Sequence, residues 1–321
     1  MAWLPEPAPL LGPEVARMED IDLLNRVFSD AFTDRYRRDG LSGMRVPYLN
    51  PLVWRYAIED SAEGAMVWRD DRGHLAAFNL VHRSGREGWM GPLAVRPDRQ
   101  GRGEGRRIVL AGIDRLQRDG ATTIGLETMP RTVENIGFYS SLGFRPGHLT
   151  VTLVQEAAKR AAPEGARLSK ATDRATALAR CAALTDALAP GVDFTREQDL
   201  TELYLLGDTT LVERDGELAG FALWHSAALA DARAPEELRV LKCVARDLPA
   251  LLQVLRGVRD AAGQEGLKRV ALRCQTAFGD AYAALIADGW RAHWTDLRMT
   301  LEGYDEVSVA GEGVVLSNWE I

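Results

Sequence analysis

The strongest constraint on this 321-residue chain is that its second half repeats the order of its first. Laid without gaps at an offset of 146, LETMPRTVENIGFYSSLGFR (from Leu126) falls over LRCQTAFGDAYAALIADGWR (from Leu272). Leu126 meets Leu272, Gly143 meets Gly289 and Phe144 meets Trp290, so helix stops and strand starts coincide while most other residues differ. The upstream elements follow suit. In the first half a helix (Ile21, Leu24, Val27, Phe28, Ala31) precedes the hairpin GAMVWRD–HLAAFNLVH and the strand GWMGPLAV. The helix GEGRRIVLAGIDRLQRDG, the strand TTIGLETM, the short helix VENIGFYSSLGF and the strand HLTVTLV then complete the set. The second half answers with a helix, the hairpin TTLVERDGELAGFALWH, the strand ELRVLKCV, the helix DLPALLQVLRGVRDAAGQEG, the strand KRVALRCQ, the helix DAYAALIADGW and the strand HWTDLRMTL. Strands alternating with helices predict an α/β layer, and repetition at this scale predicts two whole domains.

The expected partition is a Pro-rich arm at 1–14, a first domain at 15–154, a polar Ala-rich linker at 155–166 broken by Pro163, a second domain at 167–303, and a strand-like tail at 304–321. Trp319 and Ile321 suggest that the tail docks on a sheet edge or on the other domain. The start MAWLPEPAPLLGPEV lacks the basic and apolar regions of a signal peptide, and no apolar run is long enough to span a bilayer. A cytoplasmic protein is expected. With 39 Lys and Arg against 46 Asp and Glu, the net charge of −7 disfavours general nucleic-acid binding, which needs a cationic surplus. Cys181, Cys243 and Cys274 form no CxxC pair and the five histidines show no ligand spacing, so neither a disulfide framework nor a metal site is expected. Trp54, Trp68 and Trp89 are too scattered to form a binding box and read as core or pocket wall.

The halves differ most at RPDRQGRGEGRRIVLAG. Gly101, Gly103 and Gly105 at a helix entrance leave backbone N–H groups free to converge on one anion, and the helix N-terminus adds its partial positive charge. Arg99, Arg102, Arg106 and Arg107 supply charge against a polyanion, while Glu104 must point its side chain away. A P-loop is excluded because no Lys-Ser/Thr follows. A dinucleotide fingerprint is excluded because its last glycine would be Arg106 and because the loop follows three strands.

What remains is Gln100-x-x-Gly103-x-Gly105 after a strand ending LAV, with FYSSLGF closing the copy. Together with the element order, this resembles the GNAT (N-acetyltransferase) superfamily over about residues 15–154. The resemblance implies an α/β (α+β) fold of two tandem GNAT-like domains, each a mixed, mostly antiparallel sheet flanked by helices. It also implies transfer from acetyl-coenzyme A or another acyl-coenzyme A to an amine by direct attack, without a metal. Leu93, Ala94 and Val95 would pair with the pantetheine arm, and Arg99, Gln100, Gly101, Arg102, Gly103, Glu104, Gly105 and Arg106 would form the pyrophosphate loop. Tyr139 takes the position of the general acid and Glu127, twelve residues earlier, that of the base, with Glu59, Asp34 or the chain's own C-terminus as alternatives. The asparagine that many relatives carry seven residues before the tyrosine is Thr132 here. Thr132 is then expected to cap the short helix, leaving Asn135 to reach coenzyme A or to face water.

The second copy has VARDLPALLQ in place of the loop, Leu285 in place of Tyr139 and Arg273 in place of Glu127. It reads as a degenerate domain whose roles are support, homodimer formation or walling of the acceptor pocket. The acceptor is a small-molecule or peptide amine, with neither nucleic acid nor membrane as partner. A non-catalytic acyl-coenzyme A sensor or assembly protein is the second reading.

Overall fold

A computed structural model describes residues 8–160 and 164–318. The first copy runs β1 (Leu11–Val15), α1 (Ile21–Arg38), α2 (Pro51–Ser61), β2 (Ala65–Arg69), β3 (Leu75–Ser84), β4 (Glu87–Val95), α3 (Glu104–Arg118), β5 (Thr123–Thr128), α4 (Val133–Ser140) and β6 (Phe144–Glu156). The second runs β7 (Ala166–Arg167), α5 (Arg174–Leu188), α6 (Thr195–Leu203), β8 (Gly207–Arg214), β9 (Glu217–His225), β10 (Glu237–Ala245), α7 (Leu248–Gln264), β11 (Arg269–Gln275), α8 (Gly279–Ala287) and β12 (Arg291–Leu301), with β13 (Val314–Ser317) after it.

These strands form one continuous mixed sheet in the order β1-β2-β3-β4-β5-β12-β6-β11-β10-β9-β8-β7, with β13 added to β10. The copies have exchanged their last long strands: β12 lies between β5 and β6, and β6 lies between β12 and β11. Thr150 pairs with Asp296, its own equivalent at the offset of 146, so a local two-fold passes through the β6–β12 ladder. Each copy's sheet is therefore completed by the other.

Apolar periodicity accounts for the layers. In α3 the residues Ile108, Val109, Ile113 and Leu116 bury a stripe against the sheet. Gly112 is required where that helix crosses β3 and β4, since a Cβ there would lie 2.6 Å from Asn79 Nδ2 and 2.7 Å from Met90 Sδ. The opposite face carries α1 and α2 over Phe78, Leu80 and Ala94. Helix α2 starts at Asn50, whose side chain accepts from the Leu52 N–H, with Pro51 supplying the first helical φ.

A second tie between the copies is polar. The β3–β4 hairpin docks on the second copy, where the Arg86 N–H donates to Gly191 O at 2.8 Å. Behind it, buried Ser84 donates to Glu197, and Lys242 Nζ lies 3.8 Å from Glu197 and 4.8 Å from the Phe194 ring centroid.

Three segments differ from the sequence expectation. The later part of the arm is the edge strand β1, paired with β2, and Leu10 is buried; residues 1–7 lie outside the described residues. The first residues of the expected linker, Gln155 and Glu156, belong to β6. The tail does form a strand, but not on an outermost strand of the sheet: it takes the stretch of edge that interior β10 exposes past the end of its pairing with β11; Trp319 and Ile321 lie outside the described residues.

Strand exchange makes a fragment ending at residue 160 incomplete, because β5 and β6 lose the strand between them. Such a fragment is expected to lack a cooperative urea transition by circular dichroism, whereas the full chain unfolds cooperatively. A cooperatively folding, monomeric fragment would show that β12 is dispensable.

Candidate active site

Strands β4 and β5 run parallel but pair only over Glu87–Met90 and Thr123–Leu126. At Gly91 (φ +145°) and Pro92 the strand bulges: Val81 lies opposite Met90, yet Asn79 lies opposite Leu93. Beyond the bulge β4 leaves β5 and a wedge opens. The Arg96 N–H donates to Ala76 O, which fixes the alternation along β4. Leu93 and Val95 therefore aim their N–H groups into the wedge, whereas Ala94 turns its backbone to β3 and packs its side chain on the α1 face. The expected trio is thus corrected to two residues that can bond to an arm lying in the wedge.

The glycine-rich loop closes the wide end of the wedge. Gly101 (φ +74°) and Gly103 (φ +80°) take left-handed conformations that favour glycine, and a Cβ at either would meet nothing within 4 Å. Gly103 is the N-cap of α3 and carries no side chain to satisfy the first-turn donors. Gln100 Nε2 donates to Val95 O at 2.8 Å, pinning the loop to the strand instead of facing a ligand. The arginines divide into two pairs. Arg99 is buried, donates to Ala8 O and lies 3.5 Å from Asp71, while Arg107 bonds Leu10 O and Glu104. Arg102 and Arg106 are exposed, and no ion pair engages either among the described residues. Arg99 is accordingly corrected from a ligand contact to a tie for the N-terminal segment. Glu104 points away as expected, accepting from the Leu10 N–H at 2.9 Å.

Tyr139 lies on α4, in the apolar cluster that includes Val95, Ile108, Leu126 and Phe144 with Leu93 packed against it. Burial pushes its phenol up to about 12, so it is protonated at neutral pH. Glu127, next to Leu126 on β5, faces the other side of the sheet. Its Oε1 accepts from Thr150 Oγ1 at 2.5 Å and Arg298 Nη1 at 2.8 Å, and its Oε2 is held by Arg273. Burial alone would raise its pKa, but Arg273 and Arg298 outweigh that and hold the carboxyl below its ordinary value. This corrects the expected base: a carboxylate clamped by two guanidinium groups accepts a proton poorly.

Arg298 is buried, bonds Glu306 at 2.8 Å and lies 3.8 Å from the Trp89 ring centroid. Arg273 also bonds Asp296 at 2.9 Å. Tyr36 of α1, half-buried, has its phenol raised by burial and then by the charge of Asp296. The charge of Asp296, on the exchanged strand of the second copy, thus reaches the first copy's α1.

Thr132 makes no cap bond; its Oγ1 donates to Asp39 Oδ2 at 2.7 Å instead. Arg131 donates to Asp39 O at 2.8 Å, and Arg35 lies 3.2 Å from Glu134, so the end of α1 is clasped to the start of α4. Sequence reasoning missed Asp39 and Arg35, which lie over ninety residues from their partners and belong to no motif. Asn135 Nδ2 lies 3.4 Å from Thr128 Oγ1, beside the narrow end of β5. Of the alternative bases, Asp34 is paired with Arg37 and Arg38 and Glu59 is exposed on α2. The end of the chain lies outside the described residues.

Residues 24–144 match the model of the Acetyltransferase (GNAT) family. The first copy is a GNAT domain. Solved structures extend the likeness to the whole chain. A Pyrococcus horikoshii protein described as an acetyltransferase superimposes with a TM-score of 0.65 at 16% identity, over 90% of this chain and 88% of that one. A GCN5-related N-acetyltransferase from Sphaerobacter thermophilus gives 0.57 at 14%, over 92% and 96%. A tandem GNAT protein from the clavulanic acid biosynthesis pathway gives 0.56 at 14%, over 94% and 98%. At these identities the likeness establishes the tandem GNAT fold. No curated protein matches the chain significantly. Among the described residues no helix is long and apolar enough to cross a membrane, and no cluster of metal-binding side chains is present. The three cysteines are free and buried.

Because Glu127 has a depressed pKa, its contribution to stability is present above its ordinary pKa and is lost as pH falls through its folded value. Arg298→Met removes a buried partner and is expected to cost about 3–5 kcal/mol at pH 7. The deficit should shrink at acidic pH, where Glu127, left with Arg273 as its guanidinium partner, protonates more readily. Urea titrations at the two pH values measure this, and an equal deficit at both would mean that Arg298 acts through packing alone.

Proposed function

We propose that the first copy is an N-acyltransferase, most simply an N-acetyltransferase, that takes an acyl group from acetyl- or another acyl-coenzyme A and passes it directly to an amine. The observation that carries this reading is the open wedge of the GNAT domain, where among the described residues no strand pairs with the N–H groups of Leu93 and Val95, the loop has open space at Gly101 and Gly103, and no ion pair engages Arg102 or Arg106. These groups suit a long ligand with a diphosphate at one end: the strand edge takes the amide-bearing arm as a β-strand would, and the helix N-terminus takes the anion.

The chemistry follows from where the side chains stand. A thioester carbonyl over the bulge would find strand N–H donors as negative charge develops. The leaving thiolate needs a proton, and Tyr139, held neutral by its apolar surroundings, keeps one at working pH. The amine must lose a proton before it attacks. Glu127 is engaged by Arg273 and Arg298, so on this reading the amine attacks from its already neutral fraction and the Glu127 cluster serves to hold β5 and β12 in register. The acceptor would enter between α1 and β12, past Tyr36 and Asp296. The second copy would thereby wall the pocket.

Thermal melting with saturating acetyl-coenzyme A is expected to show stabilisation of about 2.7 kcal/mol at ~100 times Kd, abolished by Gly103→Glu. No shift in the unmodified chain would overturn the reading. In an amine screen, Tyr139→Phe should lower kcat by about a hundredfold or more with little change in coenzyme A binding. The kcat/KM of the unmodified enzyme should rise with pH toward the amine's own pKa. A sensor would bind coenzyme A equally well and turn over no amine.

A further inference from the structure

The second copy opens the same wedge as the first, but something stands in it. Strand β10 is the equivalent of β4, and both pair parallel with the following strand over four residues only: Glu237–Val240 with Arg269–Leu272, as Glu87–Met90 with Thr123–Leu126. Beyond that step no strand among the described residues covers the edge in the first copy. In the second, β13 takes the edge antiparallel: Lys242 opposite Ser317, Cys243 opposite Leu316, Val244 opposite Val315 and Ala245 opposite Val314. The Asn318 N–H extends the ladder by donating to Leu241 O at 2.9 Å.

The side chains fit as a ligand's would. Val314 and Leu316 join the cluster that holds Leu251, Cys274 and Leu285, on the face where the first copy has Tyr139; Val315 packs on the opposite side with Leu184 and Phe221. Ser317 is gripped by both copies. Its Oγ donates to Glu87 Oε2 at 2.6 Å and accepts from Lys242 Nζ at 3.1 Å, and its carbonyl accepts from Gln275 at 3.2 Å and Arg298 at 3.3 Å. The phosphate end of this wedge is closed as well. Helix α7 starts at Leu248–Pro249 and is capped by Asp247, whose carboxylate accepts from the Ala250 N–H at 2.8 Å and bonds Arg214. An anion would meet that carboxylate where the first copy offers bare glycine.

We propose that the second wedge is a peptide-binding site whose ligand is the chain's own segment 314–318, so that the tandem takes up acyl donor in its first wedge only. The second half of this statement rests on the acyltransferase reading; the first does not. Strand addition supplies the backbone bonds and the alternating Val314, Leu316 and Val315 supply the fit, as in other cases of an extended peptide added to a sheet edge.

Native-state hydrogen exchange on the unmodified full chain tests both parts. Without ligand, the amides of Cys243 and Ala245 are expected to exchange at least about a hundredfold more slowly than those of Leu93 and Val95. Equally fast exchange at all four would overturn the proposal. Acetyl-coenzyme A should then slow Leu93 and Val95 and leave 243, 245 and 314–318 unchanged. Release of protection at 314–318 on adding it would mean that the tail is displaced and the second wedge is a donor site, which also overturns the proposal. If Leu93 and Val95 fail to respond while 243 and 245 stay protected, the acyltransferase reading fails and the peptide site stands. As a further check, Leu316→Asp in the full chain should speed exchange at 243 and 245 and leave 93 and 95 as they were. If that variant does not fold, the comparison within the unmodified chain still decides.

Discussion

Everything in this molecule depends on the exchange of β6 and β12, because it places the two copies' equivalent positions in direct contact. Residues 146 apart meet near the local two-fold: Thr150 opposite Asp296, and Glu127 bonded to Arg273. In a fold where these positions faced separate solvents, each could change independently. Here a carboxylate in one copy had to be answered by a guanidinium in the other, since a buried charge without a partner costs several kcal/mol. Arg273, which stands in the second copy where the first has Glu127, is itself the partner that holds Glu127. Arg298, between Glu127 and Glu306 and stacked on Trp89, extends the same balance.

The divergence of the two wedges follows from the same contact. The β10 edge carries backbone donors and acceptors that need partners, and the tail supplies them. Once β13 lay there, a tyrosine at position 285 would have met Leu316 and Cys274, and leucine is what the apolar cluster accommodates. The short α7 entrance, capped by its own Asp247, satisfies in the second copy the donors that remain open in the first. Occupied edge, apolar Leu285 and capped helix form one consistent set; open edge, Tyr139 and uncapped glycine loop form the other.

Much of this was legible in the sequence. Glycines at helix stops, the 146-residue offset and the glycine-arginine loop located both copies, their element order and the wedge, because turns, periodicity and left-handed positions are local properties. What was illegible was non-local. The sequence pattern of β6 and β12 is the same whether each strand closes its own sheet or its neighbour's, so nothing in it announced the exchange. The direction of Arg99 and Arg107 was hidden for the same reason: their partners, Ala8 and Leu10, sit on a segment that read as a loose arm. Thr132 had the right position for a cap but found Asp39, a better acceptor more than ninety residues away. The resemblance supplied Glu127 as a base from its place on β5, but a residue's place does not report its neighbours. Two arginines from the other copy decide its protonation.

The proton on the amine then becomes a question of geometry outside the wedge. If Glu127 is an anchor, its charge still reaches the acceptor pocket, but only after Arg273 and Arg298 have largely cancelled it. What remains on the acceptor side is Asp296, which also shares Arg273 and lies close enough to raise the Tyr36 phenol. With Glu306 and Glu87 acting on Arg298 and Asp296 on Arg273, the carboxylates of this cluster outnumber its two guanidinium groups. On the acyltransferase reading proposed above, an amine beside such a cluster would be held as its ammonium, so the neutral form that attacks would be drawn from a minority.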